Sequence, residues 1–235
     1  MIKNEYLPAN QVFRTYTLER QLNTTNFQYE TGCGANTLAL NVAMGAKVTA
    51  DLTFIGMNET FANAAKGGTR LTLPLEVGYN TGSSFTRMDL LDDSNGGAAL
   101  AVYLTDVKLT ISNNMVADQA IRNNLGPVDL TAGDFTVAGT CEAYFSSYAA
   151  VQAVQANHDV GISFGMVENV TTPGVGAFAQ GWLFDVPLLM LGDARLKVAK
   201  DTPIKLPLNL DAAAHSVLNH TLLAMRFAYL PQLAL

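Results

Sequence analysis

The chain has 235 residues, a net charge of −6 and only 14% charged residues, against a usual value of about 25%. Hydrophobic residues make up 49%, and a surface so poor in charge is expected to be covered by neighbouring copies, because subunit interfaces deplete charge at their centre. The acidic balance excludes a protein that reads nucleic acid through basic stripes, and no apolar run approaches the roughly 18–20 residues of a membrane-spanning helix.

Taken in chain order, the first strand is expected at Val12 to Arg20, buried on both faces. Thr31-Gly32-Cys33-Gly34 reads as a turn into the strand Leu38-Ala39-Leu40-Asn41-Val42, and Met44-Gly45-Ala46 turns the chain back into Lys47 to Phe54. There Val48, Ala50, Leu52 and Phe54 share one face while Lys47, Thr49, Asp51 and Thr53 share the other. That alternation marks a sheet with one solvated side. Residues 57–68 read as loop and Thr69 to Val77 as strand. Gly78 to Ser84 and Asp92-Asp93-Ser94-Asn95-Gly96-Gly97 carry dense turn signals and read as a protruding loop region.

Ala99 to Ser112 returns as a long strand, and the strand–glycine–strand block then recurs. Its second copy is Val107-Lys108-Leu109-Thr110-Ile111-Ser112, a longer link, Ala132-Gly133-Asp134, and Phe135 to Tyr144. One short helix is expected at Ser146 to Ala156, capped by Ser146 or Ser147 and built on Ala149, Ala150 and Ala153. Strands follow at Val160 to Met166, Gln180 to Met190, Lys205 to Leu210 and Thr221 to Tyr229, with Thr171 to Gly176 as loop. Pro187 puts its strand at an edge, at a bulge or at an end, since proline cannot donate to a ladder. The expected fold class is all-β with one short helix and two pseudo-repeats. Residues 1–11 form an N-terminal extension and residues 12–235 a single domain.

Motifs for chemistry do not assemble. His158, His215 and His220 match no zinc-binding helix, and no HExxH, GxSxG, GxxxxGK[ST] or post-strand GxGxxG occurs. Cys33 has Glu30 as its nearest charge, the wrong sign to activate a thiol, and Cys33 and Cys141 are expected free and buried in a reducing cytoplasm. Asp92, Asp93 and Asn95 lack the closing glutamate of a calcium loop and read as an acidic turn. Trp182, Tyr144, Phe145 and Tyr148 are assigned to the core. The expectation is a non-enzyme with no cofactor and no metal, whose product is a shape.

The ordered set Thr15 to Arg20, Tyr29-Glu30-Thr31-Gly32-Cys33, Leu38 to Val42, Gly45, Val48 to Phe54 and Gly56-Met57 resembles the phage major tail tube protein family. The likeness continues through Leu109 to Asn114, Leu125-Gly126, Gly133 to Gly139, Tyr144-Phe145, Val186-Pro187 and Pro207-Leu208. Family members carry a longer region ahead of the Thr15 strand than residues 1–11 provide here. The resemblance implies a β-sandwich or barrel tail-tube fold with a flanking helix, related to the tube protein of the type VI secretion system. It implies six-fold rings that stack into a hollow tube around one continuous inner barrel. Implied partners are other copies of the chain, tape-measure, tail terminator, and baseplate or tip proteins, with genomic DNA passing through the lumen during ejection without specific binding. The implied location is the virion tail, assembled in the host bacterial cytoplasm, with no membrane insertion.

On that reading Lys47, Thr49, Asp51 and Thr53, with Thr140 and Glu142, are expected to line the lumen, where neutral and acidic groups do not grip phosphate. The loop Gly78 to Gly97, with Tyr79, Asn80, Asp92, Asp93 and Asn95, is expected to join one ring to the next, with Asn58 to Gly68 second. The competing reading is a β-sandwich receptor- or glycan-binding virion module, which predicts a discrete oligomer and exposed aromatics around Trp182.

Overall fold

A computed structural model describes residues 2–3, 14–67, 78–100, 103–121, 126–145, 148–168, 178–192, 195–196, 198 and 200–231. The strand expected at Thr69 to Val77 and the loop at Thr171 to Gly176 lie outside the described residues. In chain order the strands are β1 (Ile2–Lys3), β2 (Tyr16–Gln21), β3 (Phe27–Ala43), β4 (Thr49–Ile55), β5 (Asn58–Ala62), β6 (Phe85–Asp92), β7 (Ala98–Ala99) and β8 (Tyr103–Ser112). They continue as β9 (Val116–Asp118), β10 (Asp129–Thr131), β11 (Thr136–Tyr144), then helix α1 (Ala149–Gln155), β12 (Val160–Val167), β13 (Phe178–Gly192), β14 (Lys205–Ala212) and β15 (Leu223–Pro231).

Strands β4, β3, β8, β11 and β14 lie side by side, and the sheet passes through β13 into β12, β6 and β7. All the pairings are antiparallel, and the sheet bends so that its two halves face one another. The result is an all-β sandwich. Its core takes Leu40, Val42, Val107, Leu109, Val137, Cys141, Leu206, Leu208 and Leu210 from the first half. The second half supplies Leu90, Val160, Ile162, Phe164, Val186 and Leu189, with Ala150 and Ala153 of α1. Strands β3, β8, β11 and β14 contribute alternate residues because side chains along a strand point to opposite faces. Within the ladders Gly139 marks a close approach, since a Cβ there would lie 2.0 Å from the Lys108 carbonyl oxygen.

Several expectations are corrected. Thr31 to Gly34 does not turn the chain but continues through β3, where Gly32 has φ +66° and the register against β2 shifts between Tyr16 and Leu18. The glycine signal is a bulge, a place where an extra residue takes a left-handed conformation inside a ladder. The strand at Tyr16–Gln21 is mostly exposed rather than buried on both faces, because it pairs with the part of β3 that projects beyond the core. Within the stretch read as loop at residues 57–68, Asn58 to Ala62 forms β5 on the other edge of that projection. Tyr148, assigned to the core, is 67% exposed.

Pro187 lies inside β13 at an irregularity in the register with β12. On the other side β15 pairs with β13 only as far as Asp185, and β14 takes over from Leu189. The proline thus sits in the gap between two partner strands, where no ladder needs its missing N–H. At the other end of the chain, Ile2 and Lys3 add to β15 opposite Ala224 and Leu223.

Candidate functional site: the polar face of the sheet

The side of β4-β3-β8-β11-β14 that faces away from the core is polar, and the register arranges its side chains in ranks. Thr49, Asn41, Lys108, Thr140 and Asn209 are successive cross-strand neighbours. The next rank is Asp51, Ala39, Thr110, Ala138 and Asp211, and beyond it run Thr53, Thr37, Ser112 and Thr136. On the other side Ala43, Asp106, Glu142 and Pro207 form a further rank. Thr37 and Thr53 are joined through their hydroxyl groups. The face is therefore carpeted by short neutral side chains with a few charges set among them.

Five of the six residues expected to share a lining fall on this one face: Thr49, Asp51, Thr53, Thr140 and Glu142. Lys47 is exposed just ahead of β4, where its backbone bridges to Asn80. The register adds Asn41, Asp106, Lys108, Thr110, Asn209 and Asp211, which single strands could not reveal as neighbours. The alternation of Lys108, Thr110 and Ser112 against Val107, Leu109 and Ile111 was the available signal.

The charges form a local network. Lys205 Nζ donates to Glu142 Oε2 at 2.6 Å, and Lys108 Nζ lies 3.4 Å from Asp106 Oδ2. Asp106 and Glu142 are themselves directly opposite across β8 and β11. The hydrogen bond to Glu142 is the main cause that raises the Lys205 ammonium above its usual range, with Glu142, Tyr144 and Asp106 adding Coulombic pull against partial desolvation. Counting Lys205, which lies opposite Tyr144 at the end of the same face, Asp51, Asp106, Glu142 and Asp211 outnumber Lys108 and Lys205 there.

Among the described residues β4 is the outermost strand of this half and pairs with β3 alone. Its core-side residues are not covered: Ala50 is exposed and Leu52 is 53% exposed, while Tyr16 packs edge-on against Phe54 at 6.1 Å. A bare seven-residue edge with an apolar side is a pairing hazard unless something occupies it.

The residues expected in one inter-ring loop are not in one loop. β6 separates them, and Leu90 within it is buried. Tyr79 and Asn80 lie before β6 and strap the β3–β4 turn: Val48 N–H donates to Tyr79 O, and Thr81 donates to the carbonyls of Ala43 and Ala46. Asp92 and Asp93 lie beyond its other end. Asp92 is buried and takes a 3.0 Å hydrogen bond from His158 Nδ1, while Asp93 Oδ2 is 3.4 Å from His215 Nε2. Asn95 closes the short 3-10 turn Asp93–Asn95. Asp92 is thus buried and tied to His158 within the subunit. Among the described residues, no three His, Cys, Asp or Glu side chains are grouped to hold a metal ion.

Fold and face together define an all-β sandwich subunit with a low-charge exterior. A search of curated proteins finds no match. The profile of the phage tail tube protein family matches residues 7–212, and the chain belongs to that family. It is a structural protein of the phage tail tube.

Proposed function

We propose that the polar face lines the lumen of a tube built from rings of six copies joined edge to edge, through which DNA passes during ejection. The observation that carries this reading is the coincidence of an uncovered strand edge with a continuous polar face on the same half-sheet. β4 stands at one side of that half, and at the other side β14 has no partner beyond β11 over Lys205 to Leu208 among the described residues. Placing β4 of one copy beside β14 of the next continues the ranks from subunit to subunit and covers Leu52. Such a head-to-tail contact closes into a ring when the rotation per subunit divides the circle, and closure removes every free edge.

The lining then consists of threonine and asparagine with surplus carboxylates, a surface that repels phosphate rather than holding it. Copies of the chain are the first partners of such a tube. Tape-measure, terminator, and baseplate or tip proteins meet it along its bore and at its ends. Assembly takes place in the host bacterial cytoplasm. The test is negative-stain electron microscopy of the purified chain over a concentration series. Stacked rings with a bore wide enough for duplex DNA are expected; particles that never exceed a small fixed oligomer at any concentration refute the reading.

A further inference from the structure

Lysine is the side chain through which a protein ordinarily acquires affinity for DNA without regard to sequence, because each phosphate it neutralises releases counterions. The polar face carries Lys108 and Lys205, yet each is already engaged. Lys205 makes a charge-assisted hydrogen bond of 2.6 Å to Glu142, and Lys108 is 3.4 Å from Asp106 on its own strand. The two carboxylates sit directly opposite one another across β8 and β11, an arrangement that is repulsive when uncompensated. Asp106 Oδ1 is buried with no hydrogen-bond partner, so that carboxylate also depends on nearby positive charge. The four side chains make an alternating quartet in which each sign is balanced by its neighbours.

We infer that Asp106 and Glu142 act as masks on Lys108 and Lys205, so that a polyanion moving over this face meets neither of these two ammonium groups free to bind it. This rests on the reading of the face as a DNA channel, but the quartet is a property of the single subunit. A phosphate approaching Lys205 must displace Glu142 and then lie beside the displaced carboxylate and Asp106. Affinity is suppressed at two specific positions, beyond the diffuse effect of net charge.

The experiment uses full-length subunits held below the concentration at which they associate, with fluorescence anisotropy of a labelled duplex of arbitrary sequence. The unmasked variant Asp106→Asn/Glu142→Gln is compared with Asp51→Asn/Asp211→Asn, which removes the same charge from the same face and leaves both lysine pairs intact. The unmasked variant is expected to bind the duplex at least about tenfold more tightly than the control variant or the native chain. Its affinity should then fall about tenfold between about 50 and 200 mM salt, the slope of two phosphate contacts. Adding Lys108→Gln and Lys205→Gln must abolish the gain. Equal binding by the two double variants overturns the inference, as does a gain that survives loss of both lysines.

If circular dichroism shows the unmasked double unfolded, Glu142→Gln alone frees Lys205 and should show the shallower salt dependence of one contact, about fourfold over the same range; no gain there overturns the inference. Tube formation is read separately by microscopy. Native chain that never assembles refutes the channel reading and leaves the comparison of subunit variants intact.

Discussion

Leu52 offers the most direct test of how copies of this chain meet. It belongs to the core-side face of β4, yet it is 53% exposed, and Ala50 on the same face is exposed beside it. Burying a leucine completely stabilises by about 1.5–3 kcal/mol, so the half still exposed holds roughly 1 kcal/mol that only a second copy can recover. Leu52→Ala forfeits most of that and should raise the concentration needed for assembly about fivefold, since each 1.4 kcal/mol is about tenfold. Leu52→Asp adds an unpaired carboxylate to the same contact, a cost of several kcal/mol, and should move the threshold more than about a hundredfold. Both variants should leave the dispersed subunit within about 1 kcal/mol of native stability, a change in Tm of no more than about 2–4 °C. Thermal melts at low concentration measure the first quantity, and light scattering with electron microscopy over a dilution series measures the second. Tubes of Leu52→Asp at the native threshold would refute the assignment of β4 as a seam.

Other consequences are equally open to measurement. Gly139→Ala drives a methyl group into the Lys108 carbonyl 2.0 Å away and should cost about 3 kcal/mol or more, read as a lower urea midpoint; an unchanged midpoint would show that β8 and β11 can part there without penalty. The raised Lys205 ammonium contributes stability that is fully present below its unfolded value of 10.5 and is lost as pH climbs through the higher folded value. Calorimetry above pH 10.5 should therefore show a steeper loss in the native chain than in Glu142→Gln, and identical slopes would contradict the pair. Cys141 is buried and its thiol is pushed up to about 12, chiefly by burial with Asp106 adding to it, and Cys33 is raised in the same direction. A colorimetric disulfide reagent at pH 8 should thus label neither cysteine in the folded chain and both in denaturant; rapid labelling of the native protein would place a thiol at the surface.

The parts of this fold that were legible in the sequence are those governed by alternation within one strand. Thr49, Asp51 and Thr53 against Ala50 and Leu52 gave the polar face, and Pro187 marked an edge, a bulge or an end, of which the register shows the bulge, because each needs only the geometry of its own segment. β5 was hidden because Asn58-Glu59-Thr60-Phe61-Ala62 has little strand character of its own. It is strand only because β3 runs on far enough to receive it. β6 was masked by turn signals on both flanks, although its own Met88 and Leu90 alternate onto one face, opposite Phe164 and Ile162 of β12. The lysine–carboxylate quartet was out of reach for a different reason: Lys205 and Glu142 are distant in the chain, and their meeting is a fact of register.

The exchange of partners along β13 also governs the order in which the molecule can be made. β15 holds its first half and β14 its second, and β14 is also the outer partner of β11. Until the last third of the chain has left the ribosome, both β11 and β13 stand with naked edges and the sandwich cannot shut. Pairings so remote in sequence form late, and a nascent strand edge is sticky while it waits. On the edge-to-edge reading, a subunit is consequently unable to offer β14 to a neighbour before β13, β14 and β15 have all been made, so the order of synthesis itself times entry into the polymer.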